Sequence, residues 1–226
     1  MSEEIQVMVS LAMKAAYLKL APRYELESGN RVATQFVGGV DIARRLRAGE
    51  SADLVMMAAK GIDDLERERL VAAGSRIDLV RSIIGVAVRA GAARPDIGSS
   101  ESLKRVLHAA KAIGYSSGPS GVYLAEVFKR WEISPAKLHQ TAPGLPAGDL
   151  LVSGEAEIAF QQVSELLPVK GIDYIGPLPA DLQLVTIFSA GTPVSAKNAG
   201  DARKLALFLK SPGAVPVLAS YGLEPA

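Results

Sequence analysis

The chain has no cysteine among its 226 residues. That excludes disulfides, thiolate metal sites and cysteine nucleophiles, and leaves the redox compartment undetermined. Its two histidines, His108 and His139, cannot by themselves furnish a typical structural zinc site. Aromatics make up only 5%, which argues against stacking platforms for bases or sugars. Charge of one sign is missing too: 25 Lys+Arg against 24 Asp+Glu leave a net charge of +1. A protein that grips nucleic-acid backbones shows a basic surplus or patch, so nucleic acid is not an expected partner. Apolar runs such as Ile83 to Val88 fall far short of the roughly 20 residues that span a bilayer, so no membrane insertion is expected. Met1-Ser2-Glu3-Glu4 is acidic and leads straight into an apolar run, unlike a secretory leader. The chain as written reads as cytoplasmic; a periplasmic location requires a leader ahead of it.

What is present is apolar residue, at 49%, ample for a core and unlike a disordered chain. The length falls between one domain and two. Short β-branched runs alternate with amphipathic segments. Strands are predicted over Ile5 to Val9, Arg31 to Val37, Asp53 to Met57, Ile83 to Arg89, Ala112 to Tyr115, Glu157 to Gln161 and Leu182 to Ser189, with an extended piece over Gly171 to Ile175. Helices are predicted after Ser10, with Leu11, Ala15 and Leu18 at helical spacing and Pro22 kinking or ending the helix. Others are predicted over Val40 to Ala48, Gly61 to Ala72, Ser99 to Ala109 and Ala147 to Ser153, after the loop Ser116 to Gly121 with Leu124, Val127, Phe128 and Trp131 on one face, through Ala202 to Leu209, and after Pro212. This alternation defines an α/β chain.

Three strand-to-helix junctions carry small or hydroxylated residues: Ser10, Gly38-Gly39-Val40, and the loop Ser116 to Gly121. Ligands of α/β sheets sit at the C-terminal ends of strands, where helix N-termini present free N–H groups and positive partial charge. Such junctions can bind a small anion through neutral donors, although Gly and Ser are also ordinary turn residues. The loop ends in neither Gly-Lys-Ser/Thr nor a dinucleotide fingerprint. The adjacent amides Gln161 and Gln162 can donate to an oxygen-rich ligand, or simply be polar residues at a strand end. Lys14 and Lys60 can supply positive charge, Glu165 a base, and Asp53 a structural acceptor. No metal ligand set and no cofactor motif is present.

The residues also carry a resemblance. Val7-Met8-Val9-Ser10-Leu11, Val37-Gly38-Gly39-Val40-Asp41-Ile42-Ala43 and Gly49-Glu50-Ser51-Ala52-Asp53-Leu54 resemble, in order, the opening of the molybdate-binding type of periplasmic solute-binding protein. Pro119-Ser120-Gly121-Val122-Tyr123 and Gly154-Glu155-Ala156 are similar to its later segments, so the likeness runs from about residue 5 to 225. It implies a two-lobed class II binding-protein fold, each lobe a mostly parallel sheet flanked by helices, with the ligand in the cleft. The lobes would hold residues 1–82 with 187–226, and 83–186, joined by hinge strands Ile83 to Arg89 and Leu182 to Ser189. The family's ligand contacts fall on Ser10, Gly38, Gly39, Val40, Ala58, Ser120 with Gly121, the stretch Gly144-Leu145, and Gln162 beside Gln161. A family serine is missing at Gly38 to Val40, an amide replaces a tyrosine at Gln162, and Ser120 adds a hydroxyl. These exchanges favour a larger, oxygen-rich organic anion over molybdate. The resemblance implies a small anionic ligand, an oxyanion or small carboxylate, and an ABC permease as partner. Two alternatives stand beside it: an isomerase on the same scaffold moving a proton along a tricarboxylate, as in aconitate isomerase, and a cytoplasmic ligand sensor.

Overall fold

The computed structural model describes residues 4–226. Met1 to Glu3, most of the acidic opening, lie outside the described residues. The order is β1 (Ile5–Ser10), α1 (Leu11–Ser28), β2 (Val32–Val37), α2 (Gly39–Arg47), β3 (Leu54–Ala58), α3 (Ala59–Arg67), β4 (Ile77–Arg89), α4 (Ser100–Ala109), β5 (Ile113–Tyr115) and α5 (Pro119–Arg130). There follow β6 (Leu138–Gln140), α6 (Gly148–Ser153), β7 (Ile158–Gln162), α7 (Val163–Leu166), β8 (Ile172–Pro177), β9 (Val185–Gly191), α8 (Ala199–Leu209), α9 (Val215–Ser220) and β10 (Leu223–Pro225). The chain divides into two compact units, Met1–Ser82 with Thr186–Ala226, and Ile83–Val185. It passes from the first to the second within β4 and returns within β9.

In the first unit β2, β1 and β3 are parallel neighbours, with register Ile5↔Val32 to Ser10↔Val37 and Val7↔Leu54 to Val9↔Met56. β9 runs antiparallel beside β3, and β10 pairs antiparallel with Val80 to Ser82 of β4. Successive side chains of a strand point to opposite faces. Ile5, Val7, Val9, Leu54 and Met56 therefore pack into one core with α1, α8 and α9. Met8, Val55 and Met57 enter a second core with Ile42, Leu46, Ile62 and Leu65 of α2 and α3. Burial on both faces is why these strands read as continuous apolar runs. Each fully buried Ile, Leu, Val or Met contributes about 1.5–3 kcal/mol. Asp53 fixes the entry to β3, accepting from the backbone N–H groups of Gln6, Lys197 and Asn198, each at 2.8 Å. It is the structural acceptor expected from the sequence.

The second unit holds parallel β7, β5 and β6, with β4 antiparallel to both β7 and β8. Leu124, Val127 and Phe128 of α5 are buried against Ile113, Tyr115 and Phe160, and Trp131 packs partly buried beside them. Ser99 caps α4, its hydroxyl accepting from Ser102 N at 3.1 Å.

Several boundaries differ from the expectations. α1 continues through Pro22 to Ser28. Pro22 lies on the exposed side, where water can take the freed carbonyl, and the turn beyond it is held by buried Tyr24, whose hydroxyl donates to Asp201 O at 3.1 Å. The inward face of α1 is Ala12, Met13, Ala16, Tyr17 and Leu20, while Leu18 is 51% exposed. Alanines pack close to the sheet there, and Leu18 falls on the outer side. α3 spans Ala59–Arg67, earlier than Gly61 to Ala72, because Arg69 takes φ 60° and Val71 drops into the core. β4 begins at Ile77 rather than Ile83, its early part paired by the C-terminal β10, a partner remote in sequence. β9 begins at Val185, since Ala180–Leu182 forms a 3₁₀ turn. β6 and β10, each of three residues, were not expected.

Candidate functional site

In the first unit three adjacent parallel strands each run directly into a helix, so α1, α2 and α3 start along one edge of the sheet. Their N-cap residues share one backbone conformation: Ser10 at φ −59°, ψ 142°, Gly38 at −63°, 146° and Ala58 at −54°, 136°. None of the three caps its helix with a side chain. Ser10 was expected to cap α1 through its hydroxyl; it occupies the N-cap position without making that bond. Ser99, at φ −143°, ψ 159°, does accept such a bond at the start of α4. The first turns of α1 and α3 contain no acidic residue. Helix N-termini left in this state present orphan N–H donors and a positive end of the dipole to whatever lies beyond. Ser10 is buried, and Gly38, Gly39 and Ala58 are half-buried. Val40 contributes backbone only, its side chain being 73% exposed.

In the second unit the C-terminal ends of β5, β6 and β7 form the corresponding edge. After β5 the chain turns through Ser116 to Gly118, and α5 starts at Pro119 with no side-chain cap and no acid in its first turn. Ser116 and Ser120 are buried with their hydroxyls 3.0 Å apart. Gly121 is required there: a Cβ on it would lie 1.5 Å from the Ser116 carbonyl oxygen. The turn thus folds tightly over the first turn of α5. At the end of β6, Thr141 N donates to Tyr115 O at 3.0 Å, and Gln140 Nε2 donates to Ser116 O at 3.4 Å. Gly144 is exposed and takes φ 87°, turning the chain toward α6.

The two amides of β7 diverge, because adjacent strand residues face opposite ways. Gln161 Oε1 accepts from Ala147 N at 2.6 Å, and its amide hydrogen-bonds the Glu165 carboxyl. Gln161 therefore ties the start of α6 to α7. Gln162, also buried, stands at the N-cap of α7. Glu165 keeps some solvent contact as a residue, while its carboxyl is surrounded by protein. That desolvation pushes its pKa up to about 7, and the Gln161 bond opposes the rise. Lys60 is engaged with Asp64 at 2.8 Å, and Lys14 lies 5.5 Å from the Phe36 ring centre. His108 is hydrogen-bonded to Trp131 O at 3.0 Å. Among the described residues, no group of three or more His, Asp or Glu is placed to hold a metal ion. No helix of the described residues is long and apolar enough to cross a membrane.

Two features here carry no signal in the sequence: buried Thr141 at the end of β6, and the Ala147 N–H that Gln161 takes up. Thr141 follows a strand too short to show a periodicity, and a backbone N–H carries no residue signature.

Two α/β units, each with parallel strands running into uncapped helix starts, define the class: a two-lobed periplasmic binding-protein fold. The structure of the Azotobacter vinelandii periplasmic molybdate-binding protein is similar at TM-score 0.81 and 16% identity, covering 98% of this chain and 99% of that one. Residues 5–224 match the family described as bacterial extracellular solute-binding protein, and the chain belongs to that family. Among its relatives, an aconitate isomerase of Pseudomonas sp is 34% identical over 229 residues, covering 98% of this chain and 87% of the relative. The molybdate-binding protein ModA of Escherichia coli (strain K12) is 23% identical, covering 97% and 88%.

Proposed function

We propose that the protein binds a small organic anion, a di- or tricarboxylate, as the solute-binding component of an ABC importer. In the first unit the helix starts at Ser10, Gly38 and Ala58 supply N–H donors and one hydroxyl; in the second, the Ser116–Ser120 turn supplies another set. The observation that carries this reading is the row of three helix N-termini sharing one backbone conformation and lacking side-chain caps. Neutral donors suit an anion, because their desolvation costs less than that of buried charges. Glycine at Gly38 and Gly39 removes bulk, favouring a carbon-carrying anion over a compact tetrahedral one. An importer component works outside the cytoplasmic membrane with an ABC permease as partner.

The test is a thermal-shift panel of molybdate, tungstate, sulfate, and small di- and tricarboxylates. Ligand at 100 times its Kd stabilises by roughly 2.7 kcal/mol, readily detected. Shifts confined to molybdate and tungstate refute the carboxylate assignment, and no shift with any of them refutes small-anion binding.

A second reading is a proton-shifting isomerase, supported by the aconitate isomerase relative and by Glu165, whose carboxyl is pushed up to about 7 by burial. A 1,3-shift removes a proton from one carbon and delivers one two carbons away, and a base poised near pH 7 suits both steps. Proton NMR of cis-aconitate with the protein in D2O checks it. Absence of both isomerisation and deuterium uptake removes this reading for that substrate.

A further inference from the structure

We infer that the Thr141 hydroxyl is a ligand-binding group of the second unit, set beside the Ser116–Ser120 turn to receive an anion oxygen. The inference rests on the anion-binding reading above and adds a residue to it. β5 and β6 pair in parallel with register Gly114↔His139 and Tyr115↔Gln140. The Thr141 N–H to Tyr115 O bond continues the ladder by one residue, which sets Thr141 next to Ser116. Paired residues of neighbouring strands share a face. Tyr115 packs into the apolar core, and Ser116 and Thr141, one residue on, lie just past the strand ends. The Ser116 hydroxyl is hydrogen-bonded to that of Ser120, with either as donor.

Thr141 is only 7% exposed, yet its hydroxyl has no hydrogen-bond partner among the described residues. A buried hydroxyl without a partner is costly, and sequences retain few of them without a use. Ser164, in the first turn of α7 beyond β7, is another such hydroxyl. Both stand at the C-terminal edge of the parallel strands β6, β5 and β7, where the uncapped start of α5 also lies. The placement coincides with the proposed anion-binding edge rather than with the core. A hydroxyl both donates and adapts by rotation, so it suits one oxygen of a carboxylate whose other contacts are backbone N–H groups.

The experiment is Thr141→Val, which keeps the side-chain shape and removes the hydroxyl. Wild type and variant are titrated calorimetrically with cis-aconitate and with molybdate, and each is melted without ligand. A hydrogen bond to a charged partner corresponds to roughly a 10- to 150-fold change in Kd. The expected result is a loss of at least tenfold in affinity, with the unliganded melting temperature equal to or above wild type. Unchanged affinity overturns the inference while leaving the anion-binding reading intact. A lowered melting temperature of the unliganded variant assigns the hydroxyl to the fold and also overturns it. If wild type binds neither anion, both the reading and this inference fall.

Discussion

Removing the Ser10 hydroxyl tests the proposed anion-binding edge at a residue whose expected cap bond is absent. Ser10 ends β1, is buried at 7% exposure, and stands at the N-cap of α1 without capping it. A serine that caps a helix typically costs about 1 kcal/mol when changed to alanine. Here no cap bond is lost, and Ser10→Ala keeps the Cβ. The unliganded protein should therefore lose less than about 0.5 kcal/mol, within the range of neutral substitutions. Binding should respond differently. A hydroxyl donating to a charged ligand oxygen is worth about 1.5–3 kcal/mol, and each 1.4 kcal/mol is tenfold in Kd, giving a loss of roughly 10- to 150-fold. Isothermal titration with cis-aconitate and molybdate measures the affinity, and urea unfolding of the unliganded protein measures the stability. Affinity within twofold of wild type would refute the placement of the anion at the α1 start. A stability loss above about 1 kcal/mol would refute the claim that this hydroxyl is free of the helix.

Two further outcomes follow from buried groups. Asp53→Ala removes the acceptor of three backbone N–H groups at 2.8 Å, and at about 1–3 kcal/mol per unsatisfied donor it should destabilise by at least 3 kcal/mol; a urea midpoint close to wild type contradicts this. Glu165 has its folded pKa raised to about 7 by burial. The folded state therefore holds a proton that the unfolded state has already released between the ordinary carboxyl range, about pH 4.3, and pH 7, so stability falls as pH rises through that window and levels off above it. Glu165→Gln, which does not titrate, should lose that slope. Melting curves of both proteins from pH 4.5 to 8 check it, and parallel pH profiles would show that the carboxyl is not desolvated.

Local residues carried much of the fold. Ile5 to Val9 and Asp53 to Met57 read as strands because most of their residues are apolar and buried on both faces, and the α5 and α8 stripes read correctly because helical spacing places them on one side. The helix α1 misled: Leu11, Ala15 and Leu18 gave a plausible stripe, yet Ala12, Ala16 and Tyr17 face the sheet, because close approach of a helix favours alanine over leucine. The first half of β4 was hidden because its partner β10 comes from the C-terminal end. Gln161 and Gln162 look like a pair in the sequence, which does not show that Gln161 takes up the Ala147 N–H, fourteen residues away in the chain.

The sequence by itself determined the α/β alternation, the family and the residues at the strand ends, since these depend on short-range pattern and on motifs in order. The tertiary structure decided which of those residues are free to meet a ligand. Whether Ser10 caps its helix, whether Gln161 is already engaged, and whether the Thr141 hydroxyl has a partner depend on backbone angles and on strands brought together from distant parts of the chain. No local pattern encodes those, because a hydrogen-bonding group becomes available only through what its folded neighbours leave unsatisfied.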